Sequence, residues 1–180
     1  MKDGLIKLLA TAACIFPLVS AEAVQLSGSI GFTGSAELDS TSLAGATKFT
    51  NITATVLGGS QSGDYASVPT GLDVDWTLFT FSPEQVPVEP LWSFTSEGIL
   101  YRFNATSMTV VLNTGGPQPF LNISGEGIAF ITDFDPTPGT WSLTVTAGEL
   151  GNEARFTFGA GVNVPSVPDG GATGILAGLA

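Results

Sequence analysis

Apolar and polar residues alternate with period two through the middle of the chain, a pattern that puts one set of side chains on one face of a sheet. Ile52, Ala54 and Val56 carry it; so do Ile99, Tyr101 and Phe103; Met108, Val110 and Leu112; Trp141, Leu143 and Val145; and Phe156, Phe158 and Ala160. The positions between are largely Ser and Thr, with Arg102, Asn104 and Arg155, so each run has a dry face and a wet one. Turn-forming residues separate the runs at Gly58-Gly59, Gly71, Ser82 to Pro90, Thr114 to Pro119, Asp135 to Gly139 and Gly148 to Asn152. Between the two ends, no window carries an apolar stripe of helical period and length. Short strands at this spacing predict an all-β fold, a single antiparallel β-sandwich or flattened barrel without internal repeats. Pro83, Pro87 and Pro90 are expected in a loop across it, because proline cannot donate to a central ladder.

The two ends break this pattern. At the N-terminus, Lys2 and Lys7 precede an apolar stretch from Leu8 to Val19, and Ala21-Glu22-Ala23 has the small-x-small form that a signal peptidase accepts. Cleavage is expected after Ala23, with Ala21 as the second site. Cys14, the only cysteine, lies inside the stretch, but Thr11 and the apolar run Ile15 to Val19 depart from a lipoprotein signal. Removal of residues 1–23 leaves a mature chain without cysteine, and so without disulfides, thiol catalysis or cysteine-held metal.

At the C-terminus, Val167-Pro168-Asp169-Gly170-Gly171 is followed by the small apolar residues Ala172 to Ala180. This order resembles the PEP-CTERM sorting tail of exported bacterial proteins, in its Val-Pro-Asp-Gly-Gly variant. The resemblance implies a following transmembrane helix and basic cluster, and processing near the motif by an exosortase-type membrane peptidase. A spanning helix takes about 20 apolar residues, so residues 172–180 are expected to be the start of a truncated helix. The segments Tyr101 to Met108, Phe120 to Gly125 and Asp135 to Ser142 are similar to segments that recur in short all-β exported proteins with this tail, a resemblance that brings no activity with it. The expected organisation is a signal peptide at 1–23, a β domain at 24–161, a flexible linker and sorting motif at 162–171, and the helix start at 172–180.

Composition narrows the chemistry. The formal charge is −11, and removal of residues 1–23 leaves it unchanged, with 14 acidic groups against Lys48, Arg102 and Arg155. A surface so poor in bases repels nucleic acid and anionic lipid. The chain has no histidine, which removes the Ser-His-Asp and Cys-His constellations, the usual zinc ligands and the commonest general base. Asp73 and Asp75, and Asp133 and Asp135 around Phe134, are expected to share faces of strands, but no glycine-punctuated acidic loop completes a calcium site around them. As an acid and base pair they would suit a glycoside hydrolase, a pairing that any acidic all-β chain offers by chance.

Trp76 and Tyr65 are the candidate aromatic platform for sugar rings, whereas Trp92 and Trp141 sit where core residues are expected. Asn51, Asn104 and Asn122 begin glycosylation triplets but read as strand residues. The function expected is that of an exported surface or extracellular-matrix protein, sorted by its tail, without catalytic activity, metal or cofactor. Its partners would be signal peptidase, the exosortase-type peptidase and extracellular polysaccharide. A carbohydrate-binding or adhesive module is the first alternative, and an extracellular glycoside hydrolase the second.

Overall fold

The computed structural model describes residues 24–114, 119–147 and 153–162. Among these are nine strands: β1 (Gly28–Leu38), β2 (Phe49–Val56), β3 (Asp73–Trp76), β4 (Val88–Ser96), β5 (Ile99–Ala105), β6 (Thr109–Asn113), β7 (Phe120–Ile131), β8 (Thr137–Ala147) and β9 (Glu153–Val162). One short 3-10 turn, Gly63–Tyr65, lies between β2 and β3. Each strand pairs antiparallel with its neighbour from β1 to β5; β5 then pairs with β7, β7 with β8, β8 with β9, and β9 with β1. The ring closes. Eight strands form an antiparallel barrel, and the expectation of a sandwich or flattened barrel resolves to the barrel because Gly28–Glu37 and Val162–Glu153 zip the two ends of the chain together.

β6 continues the line of β5 along β7. Ala105 pairs with Gly127 and Thr109 with Ser124, so three residues of one strand face two of the other. The extra residue makes a bulge, held by the Thr106 and Ser107 N–H groups, which donate to the Glu126 carbonyl, and by Ser107 Oγ, which accepts from Glu126 N–H at 2.8 Å.

The inward faces fill the barrel. Ile30, Phe32, Val56, Trp92, Phe94, Tyr101, Phe103, Leu121, Ile123, Trp141, Leu143 and Val145 are all buried in one cluster, and eight strands enclose a space that side chains can fill. Outward positions on β1 and β2 are polar: Thr33, Ser35, Thr50, Asn51 and Thr53 are exposed. On these two strands the outward face is thus unlike the apolar band of a transmembrane barrel. Among the described residues no helix is long and apolar enough to cross a membrane.

Several expectations are corrected. Leu112 is exposed rather than in the core, because among the described residues β6 pairs only with β7 and no strand lies along its second edge. Ile99 is exposed because it leaves the tight β4–β5 turn. Pro90 lies within β4, at the register shift between Val88 and Trp92, where proline removes no ladder bond; Pro83 and Pro87 do lie in the loop before it. Asp133 and Asp135 sit in the turn between β7 and β8, not on a strand, and Gly139 is already part of β8. The side chains of Phe156 and Phe158 lie outside the described residues, though their backbones pair with Gly34 and Phe32 of β1.

Candidate functional site

Tyr65 is placed by backbone contacts that only glycine permits. Gly28 (φ 121°) and Gly63 (φ 56°) bring two chain segments so close that a Cβ on Gly28 would stand 2.1 Å from the Ser62 carbonyl oxygen. Ser27 N–H donates to Asp64 Oδ2 at 2.7 Å and Ser29 N–H to Ser62 Oγ at 3.0 Å, so the loop is tied to the start of β1. Tyr65 then turns inward, 1% exposed, with its ring 5.9 Å from that of Tyr101. Burial pushes its phenol well above the usual range, with the nearby Asp64 charge adding to the effect. A buried phenol cannot serve as an open face for a sugar.

Trp76 ends β3 and pairs with Trp92. It is half-buried, packed against the core, with its ring edge-on to Phe32 at 6.1 Å. Trp76 and Tyr65 therefore form no common exposed platform, which corrects the expectation that prompted the carbohydrate reading. Trp92 and Trp141 are buried as expected, Trp92 stacked between Phe94 at 5.7 Å and Phe103 at 6.0 Å.

Asp73 and Asp75 are exposed on either side of buried Val74. Asp133 takes φ 70° in its turn, while Asp135 N–H donates to the Val24 carbonyl. Among the described residues no three acidic, histidine or cysteine side chains group to hold a metal. Asn51, Asn104 and Asn122 all lie on strands, and Asn122 Nδ2 donates across to Thr144 Oγ1 at 3.0 Å.

An open groove of about 300 Å³ crosses β7, β8 and β9 beside the bulge, lined by Thr106, Glu126, Gly127, Pro138, Gly139, Thr140 and Gly161 among others. Nothing in the sequence singled it out, since its shape comes from glycines that meet only across the sheet: Gly127 pairs with Gly139, and Thr140 with Gly161. Its lining offers one carboxylate, Glu126, and two hydroxyls. Glycoside hydrolysis needs a second carboxyl group about 5 to 10 Å away, and the lining holds none. Ala21, Ala23 and the motif Val167-Pro168-Asp169-Gly170-Gly171 lie outside the described residues.

The architecture defines an antiparallel up-and-down barrel with a side-chain-filled interior. No family model, no curated protein and no solved structure matches the chain.

Proposed function

We propose that this chain is an exported bacterial surface or extracellular-matrix protein, delivered by a signal peptide at residues 1–23 and sorted through its PEP-CTERM-like tail, with the barrel as non-catalytic cargo. The observation that carries this reading is the pairing of the two end patterns in the sequence, the basic, apolar and Ala21-Glu22-Ala23 order at the start and Val167-Pro168-Asp169-Gly170-Gly171 before small apolar residues at the end. Val24 is 61% exposed, Leu26 is fully buried, and Leu26 N–H donates to Thr137 Oγ1 at 3.0 Å. At the other end Val162 pairs with Gly28. The first and last described strands are therefore neighbours in the barrel wall.

A membrane-embedded peptidase needs an accessible, extended peptide. Pro165, Pro168, Gly170 and Gly171 disfavour helix and sheet across the sorting segment. The exosortase-type peptidase and signal peptidase are the proposed partners, with extracellular polysaccharide as the environment of the released protein.

The test is processing in a host with the peptidase present or deleted. Export should yield a mature N-terminus at Val24. The precursor should stay in the membrane without the peptidase and move to the medium or matrix when it is restored. Replacing Pro168 and Asp169 by Ala should trap the precursor while the barrel's circular-dichroism spectrum is unchanged. Normal release of that double variant would remove the sorting assignment.

A further inference from the structure

Among the described residues no strand lies along the second edge of β6. β4 begins at Val88, opposite Ala105, so it ends short of the residues beyond the bulge. Among the described residues β6 pairs with β7 alone. The consequence is visible at Leu112. Its register with Leu121 puts it on the inward face, yet Leu121 is 1% exposed and Leu112 is 41% exposed. Val111, on the outward face, is 53% exposed.

Edge strands are usually blunted by lysine, proline or an inward charge, because their unpaired backbone templates another strand. Thr109 to Asn113 has none of these. It lies instead within Phe103 to Gly125, the longest uncharged stretch of a chain whose net charge is −11.

We propose that the β6 edge pairs antiparallel with the β6 edge of a second copy, forming a two-fold symmetric dimer that supplies a strand to that edge in each copy. The charge distribution selects this occupant. Two strongly acidic chains repel, which favours joining where neither brings charge, and β6 lies in the longest uncharged run of the sequence. A basic peptide would find no acidic side chain between Phe103 and Gly125 to pair with.

Symmetry then fixes the register, since an isologous contact maps each residue onto its counterpart. Centred on Val111, it sets Val111 against Val111 and Val110 against Leu112. Directly opposed side chains on an antiparallel pair have Cβ atoms about 4.5 to 5.5 Å apart, so Val110 of one copy covers the bare Leu112 of the other.

Sedimentation equilibrium of the full chain tests this. The wild type should give the mass of two chains, and Val111→Lys and Val111→Glu should each halve it, because each sets like charges together on the axis. Mixing the two variants in equal amounts should restore the doubled mass. A monomeric wild type, an assembly larger than two, or an association that survives Val111→Lys, as joining through the apolar ends would, overturns the proposal. So does a mixture that stays monomeric. Amide exchange on the wild type needs no variant: rates at Val110 to Leu112 should fall as protein concentration rises, and rates independent of concentration overturn the pairing.

Discussion

At the scale of single residues, large rings fit because glycines stand beside them. Trp141, at the centre of the β8 ladder with β7, pairs with Gly125, where a Cβ would stand 3.0 Å from the indole Nε1 and 2.1 Å from the Ser107 carbonyl oxygen. A Cβ on Gly127 would lie 2.4 Å from the Phe103 ring. These two positions give up side chains so that two aromatic ones can pack. Trp141→Ala should therefore leave a cavity that its neighbours cannot close, and cost about 3 to 5 kcal/mol, read as a lowered melting midpoint.

Asp39 has a different task. Its Oδ1 accepts from Thr47 N–H at 2.8 Å and Lys48 N–H at 3.2 Å, and its Oδ2 from the Thr47 hydroxyl, closing the loop between β1 and β2. The Thr47 hydroxyl, then the Thr47 amide, holds the carboxyl down at about 2, against an ordinary 3.8. A lowered folded-state pKa means stability present above pH 3.8 and lost as pH falls toward 2. Asp39→Ala should melt earlier than wild type at neutral pH, and the gap between them should close below about pH 2.

Among the elements, the β4–β5 hairpin shows how a turn sets register. Ser96 pairs with Ile99 across Glu97 and Gly98, whose φ values are 51° and 82°. Positive φ at both central residues is the two-residue turn that favours Asn-Gly. Glu97 is the strained member, so Glu97→Asn should raise the melting midpoint and Glu97→Gln should not. The hairpin pays back in position: Tyr101 and Phe103 point inward, while Arg102 lies over the ring of its cross-strand partner Phe130 at 4.2 Å.

Legibility also varied by element. β8 was plain in the alternation of Trp141, Leu143 and Val145, all of which are buried. β1 was not among the expected strands, because Gly28, Gly31 and Gly34 dilute the signal of Ile30, Phe32, Ala36 and Leu38. Gly34 is small for a reason found only across the sheet, where a Cβ would stand 1.9 Å from the Thr53 carbonyl oxygen.

For the molecule as a whole, the decisive contact is between its ends. β1 and β9 pair over ten positions, from Gly28–Val162 to Glu37–Glu153, and no ring exists until they meet. Contacts so distant in sequence must be reached against loop-closure entropy, and folding slows accordingly. Stopped-flow refolding followed by tryptophan fluorescence should give milliseconds to seconds, not microseconds. Deleting Glu153 to Val162 should abolish cooperative unfolding, since β1 and β8 would both lose a partner.

Alternation and turn residues by themselves determined an all-β chain, the burial of Trp92 and Trp141, and the strand positions of Asn51, Asn104 and Asn122, because these follow from neighbours along the chain. Composition determined the acidic charge and the lack of histidine. Only the tertiary structure decided between sandwich and barrel, turned Tyr65 inward, placed Asp133 and Asp135 in a turn, and left Leu112 bare on an inward face. Each of those depends on which strand lies alongside which, and registry between distant segments is an energy of pairing that no local pattern encodes.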